Sequence, residues 1–124
     1  MAIDVADSAP GQANTATILF TSTRTPACTL AITPDTMTVR ITSGPDVVWS
    51  SDDCPDSLPV KQVVARADPP TAYEFRWNGR RSAENCQPVD ALPQPGGYWL
   101  EAALIGGEPH KAYFDITDDK PAKR

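Results

Sequence analysis

The sequence predicts an all-β fold, an antiparallel β-sandwich of seven or eight strands, and three observations carry that reading. Thirteen prolines in 124 residues, about one in every ten, leave almost no window in which a helix of ordinary length could run without losing a backbone donor and clashing with its preceding turn. Segments of strict period-two hydrophobic alternation recur along the chain. Proline- or glycine-bearing turn signals separate them at roughly ten-residue spacing, as in β-sandwiches. A composition of 40% hydrophobic and 22% charged residues is that of a globular domain with a core of its own.

Taken in chain order, residues 1–12 read as a flexible leader. "TATILFTST" (15–23) sets Ala16, Ile18 and Phe20 on one face. "CTLAI" (28–32) is a short strand. In "TMTVRITS" (36–43), Met37, Val39 and Ile41 oppose Thr38, Arg40 and Thr42, a half-buried antiparallel pattern. "DVVWS" (46–50) follows Gly44–Pro45, so it pairs back as a hairpin or continues after a bend. "KQVVAR" (61–66) is the weakest strand. "TAYEFRWNG" (71–79) is stronger: Tyr73, Phe75 and Trp77 face the core, and Glu74, Arg76 and Asn78 face water. "GYWLEAALIG" (97–106) and "HKAYFDIT" (110–117), joined by "GGEP", form a terminal hairpin. The connection Arg80 to Gly96 has room for one helical turn around "PVDAL". The domain spans 13–117, and the charged tail 118–124 has no apolar face.

Composition narrows the function classes. A net charge of −5 and a pI near 4.6 oppose a phosphate backbone, which leaves nucleic acid a poor partner. No stretch approaches the roughly 20 apolar residues of a membrane span, and "MAIDVADSAPGQ" lacks the regions of a signal peptide. If the protein is exported, the expectation is a targeting segment or anchor upstream. The three cysteines have neither zinc-knuckle nor thioredoxin-like spacing. Cys54 and Cys86 lie in polar, proline-flanked loops, "DDCPD" and "ENCQP", and are expected to form an inter-loop disulfide, with Cys28 outside any intramolecular bridge.

Several clusters invite a chemical reading. Asp52, Asp53 and Asp56 could offer oxygens to calcium, but they match no EF-hand spacing and Pro55 stiffens the run, so a solvated turn is the expectation. Ser50, Ser51 and Ser82 lie in no G-x-S-x-G elbow, and the only histidine is His110. With no glycine-rich phosphate loop and no metal-spaced cysteines, no enzyme activity, cofactor or metal is expected. Arg80 and Arg81 form the one local cationic pair, able either to engage a partner or to make an internal ion pair. Alternation sends Tyr98 and Leu100 inward, so Trp99 points outward, on the same side as Glu101, Ala103 and Ile105. Trp99 and Ile105 are therefore candidate partner-binding residues.

"PACTL", "VRITSGPDVVWSSDDC", "FRWNGRRSAENC" and "PGGYWLEAALIGG" together resemble a family of actinobacterial cell-envelope domains that follow an N-terminal anchor or signal sequence. The resemblance implies an immunoglobulin-like sandwich, an extracytoplasmic location and a non-enzymatic binding role toward another envelope protein or polysaccharide. That family carries a fourth cysteine, near the N-terminus, that would pair with the position of Cys28; no cysteine precedes Cys28 here. The Trp-Ser step at 49–50, "WNG" at 77–79 and "PGGYW" at 95–99 are more faintly similar to the intracellular proteinase inhibitor of bacilli. That likeness implies an alternative function, inhibition through a rigid loop around Arg80 and Arg81 or around "SSDDCPD".

Overall fold

In the computed structural model, which describes residues 1–22 and 28–117, nine strands form an immunoglobulin-like antiparallel sandwich: β1 Ala2–Val5, β2 Asn14–Phe20, β3 Cys28–Ile32, β4 Met37–Ser43, β5 Asp46–Ser50, β6 Lys61–Ala65, β7 Thr71–Trp77, β8 Gly96–Leu104 and β9 His110–Ile116. One layer contains β1-β2-β7, with the β3-β6 ladder belonging to a separate two-stranded sheet, and the opposing sheet runs β5-β4-β8-β9. Alternation decides which side chains meet between them. Ala16, Ile18 and Phe20 of β2 and Tyr73, Phe75 and Trp77 of β7 are buried, as are Met37, Val39 and Ile41 of β4, Tyr98, Leu100 and Ala102 of β8, and Phe114 and Ile116 of β9. Ring contacts cross the layers: Trp49 of β5 lies 5.1 Å from Phe75, and Trp77 lies 6.2 Å from Phe114 in an edge-on arrangement. Such aromatic pairs add to the burial that holds the sheets together.

The ninth strand is β1, and it corrects the reading of residues 1–12 as a flexible leader. Ala2–Val5 pairs antiparallel with the edge of β2, Ala2 opposite Leu19 and Val5 opposite Ala16. Met1, Ile3 and Val5 pack against the core. The chain then crosses to the other sheet, where Ser8 bridges Ile116 in parallel: Ser8 N donates to Asp115 O at 3.0 Å and Thr117 N to Ser8 O at 2.9 Å. Four residues of "AIDV" are too few to announce a strand in isolation. The open edge of β2 supplies the backbone partners that make them one.

Both hairpins form. β4 and β5 join through Gly44–Pro45, and a register shift between Ile41 and Thr42 sets Ile41 opposite Trp49 but Thr42 opposite Val47. This bulge reverses the facing of Val47, which strict alternation from the buried Trp49 would send inward. β8 and β9 pair from Gly96–Ile116 to Ala102–His110. In the connection from Arg80 to Pro95 the short helical turn is a 3-10 turn at Glu84–Cys86, not one around "PVDAL". Asn85 and Cys86 both take left-handed φ values of 60° and 55°, a region that asparagine tolerates well and that is uncommon for other side chains. The tail 118–124 lies outside the described residues, as does the Cys28 side chain.

Candidate functional site

The opening of the long connection is stitched to the free edge of β5. Ser82 N donates to Val48 O at 3.0 Å, and the Ser82 hydroxyl accepts from Ser50 N at 3.0 Å and donates to Asp53 Oδ2 at 2.6 Å. Ser51 Oγ accepts from Val39 N at 3.0 Å while Ser51 N donates to Val39 O at 2.9 Å. Ser50 Oγ accepts from Asp52 N at 3.1 Å. These hydroxyls are committed to backbone and carboxylate partners. Ser51, Val39, Ala102 and His110 lie in one row across the sheet, so His110 stands three strand spacings, about 14 Å, from Ser51. That separation keeps Ser51 and His110 from forming a serine–histidine pair.

The disulfide joins Cys54 to Cys86 across 32 residues of sequence, as the loop composition suggested. Cys54 is buried and Cys86 exposed. Around the bridge, Asp52, Asp53, Asp56 and Glu84 line a shallow acidic depression of about 610 Å³. Among the described residues no three His, Cys, Asp or Glu side chains converge to hold a metal ion. The "SSDDC" segment is a turn built on serine hydroxyls and locked by a disulfide.

The arginine pair divides. Arg81 makes a bidentate ion pair with Asp46, Nη1 to Oδ2 at 3.1 Å and Nη2 to Oδ1 at 2.9 Å. This hydrogen bonding holds the Asp46 carboxyl below its usual range and raises the Arg81 guanidinium. The Arg80 side chain is exposed, but its backbone is fixed on both sides. Its N–H donates to Asn78 Oδ1 at 3.0 Å, and its carbonyl accepts from the buried Trp77 Nε1 at 2.9 Å. A loop that inhibits a protease as a bound substrate must turn the equivalent carbonyl toward the enzyme's oxyanion donors. Here that oxygen faces the domain's own core. Gly79 holds the turn with φ +82°, and a Cβ there would collide with the Gln12 backbone.

On the outward face of the β5-β4-β8-β9 sheet, Val47, Thr42, Trp99 and Tyr113 form one row across all four strands, about 14 Å long at ordinary strand spacing. Val47, Trp99 and Tyr113 are 46%, 42% and 53% exposed, so large apolar groups meet water where a lone sandwich would gain nothing from them. Trp99 and Tyr113 contact each other edge to face, centroids 5.3 Å apart at 71°. Tyr113 leans along the diagonal to Gly97, where an added Cβ would strike its hydroxyl end. Its hydroxyl donates to Asp115 Oδ1 at 2.8 Å. That bond, followed by desolvation and the nearby Asp115 and Asp7 charges, raises the Tyr113 phenol above its usual value. Beside this row, Arg40 Nη2 meets Glu101 Oε1 at 3.3 Å, and Lys111 stands opposite Glu101.

Ile105, exposed by 78%, belongs to the turn beyond β8, six residues from Trp99 and about 20 Å along the strand direction. The structure gives Trp99 different company, Tyr113 and Val47. Tyr113 was within reach of the sequence, because alternation in "HKAYFDIT" puts it outward and the hairpin register puts it beside Trp99. Val47 was not, because its facing depends on the bulge. Compared with protein-family models and with curated proteins, the chain matches none.

Proposed function

We propose that this domain is a non-catalytic binding module of a bacterial cell-envelope protein, working outside the cytoplasm and capturing another envelope component through the outer face of the β5-β4-β8-β9 sheet. The observation that carries the reading is the exposed row Val47, Trp99 and Tyr113, since exposed aromatic groups set in a rigid sheet supply anchors at low entropic cost. Two further points support it. A disulfide between loops is at home in an oxidising compartment, and the motifs around Trp49, Trp77 and Trp99 resemble those of actinobacterial envelope domains. No helix among the described residues is long and apolar enough to cross a membrane.

Capture from envelope extract with wild type and Trp99→Ala side by side tests the proposal. Because Trp99 is an outward side chain, the variant keeps its folding transition and weakens capture by ~2 kcal/mol or more, roughly 30-fold. Equal capture by both proteins overturns the choice of face. Inhibition assays against trypsin-like and subtilisin-like proteases accompany it, and with the Arg80 carbonyl held by Trp77 no substrate-like inhibition is expected.

A further inference from the structure

The aromatic row ends in a charged corner. Asp115 spends one oxygen on the Tyr113 hydroxyl, and Asp7 spends one on the Asp115 backbone N–H at 2.9 Å. The second oxygen of each carboxylate has no partner among the described residues. Two open carboxylate oxygens thus stand beside a ring whose hydroxyl already donates to an anion, which enriches the ring face in negative charge. Lys111 is the opposing cation on this strand, and it faces Glu101, which also pairs with Arg40. The corner itself is anionic, in a chain of net charge −5.

We infer that Trp99, Tyr113, Asp115 and Asp7 form a recognition site for an arginine side chain presented by a basic segment of a protein partner. The inference rests on the proposed binding face and names its occupant. A guanidinium satisfies both halves of the corner at once. Its plane stacks on an aromatic face, and its edge donates to carboxylate oxygens. The clamping of Tyr113 over Gly97 by Asp115 sets the ring before the ligand arrives, so little ordering remains to be done on binding. The net negative charge of the domain draws a basic segment toward it.

The test is a titration of isotope-labelled domain with an arginine-glycine peptide and with the same peptide carrying citrulline, a neutral isostere of arginine. The arginine peptide is expected to shift the Trp99 indole N–H and the amides of β8 and β9, leaving the buried indoles of Trp49 and Trp77 in place. Citrulline should abolish the shifts. Asp7→Asn and Asp115→Asn, with unchanged spectra elsewhere, should each weaken binding ~3-fold or more, and Trp99→Ala by a similar factor. Binding should also fall as salt rises from low to high. Equal binding of the citrulline peptide, or shifts of the same residues by a neutral oligosaccharide with none from the arginine peptide, overturns the inference. If neither ligand binds while Trp99→Ala still loses the envelope partner, the occupant is wrong and the binding face stands. If the arginine peptide binds but Trp99→Ala captures the envelope partner normally, the corner takes guanidinium and the proposed function fails.

Discussion

Tyr73 shows how one side chain can be both core and polar fastener. Its ring is buried among β2 and β7 neighbours, and its hydroxyl reaches Pro59 O at 2.6 Å. Burial pushes its phenol up to about 12, because an anion there would lose its hydration. The folded value lies above the unfolded one, so the stability from keeping Tyr73 neutral is full below about pH 10 and is lost as pH rises toward about 12. Denaturant midpoints should therefore fall over that alkaline window, and in Tyr73→Phe the fall should be shallower. An equal slope in both proteins would place the alkaline sensitivity elsewhere. Alternation in "TAYEFRW" was enough to bury Tyr73, Phe75 and Trp77, because successive strand residues point to opposite faces. The bond from Trp77 Nε1 to the Arg80 carbonyl was not readable, because it depends on how the chain turns after Asn78.

β1 is the element whose existence depends most on its neighbours. Its alternating exposed and partly buried residues contribute little propensity, while its backbone closes one edge of β2 and the following residues cover part of β9. Deleting residues 1–8 should cost roughly 2 to 4 kcal/mol in urea denaturation, from the lost packing of Met1, Ile3 and Val5. It should also raise the tendency to self-associate, seen as a concentration-dependent mass, because two strand edges become available for pairing. A truncated domain as stable and as monomeric as the intact one would show that β1 only decorates the sheet. The free edge of β5 is guarded differently. Ser82 occupies the outward groups of Val48 and Ser50, and "WNGRRS" shows no sign of this until the long connection is in place.

Across the molecule, the bridge between Cys54 and Cys86 connects the end of the β5 edge to the connection that stitches it, closing 32 residues. Loop-closure entropy puts its contribution at ~3 to 4 kcal/mol. The double variant Cys54→Ser, Cys86→Ser should lose that much in denaturant unfolding while keeping its far-ultraviolet β spectrum. Mass mapping of the non-reduced protein should recover the Cys54–Cys86 peptide pair, and any pair containing Cys28 would overturn the connectivity. Polar loop composition was sufficient to select these two cysteines, since both lie in connections, whereas Cys28 belongs to β3.

Strand identity and facing follow from local covalent geometry, which is why the alternating segments, the terminal hairpin and the outward Trp99 were all legible before any fold was considered, while the sequence at 46–50 fits a hairpin and a bend alike. Partners across the sheet are a different matter. They depend on register and on which edges remain open, quantities that no short window contains. Val47 joins the aromatic row only through the bulge at Ile41–Thr42, Asp7 reaches Asp115 only because the chain after β1 crosses to the other sheet, and Gly97 matters only because Tyr113 lies over it. The components of the corner come from residues 7, 97–99 and 113–115, and folding assembles them by joining the N-terminal crossing to the last hairpin.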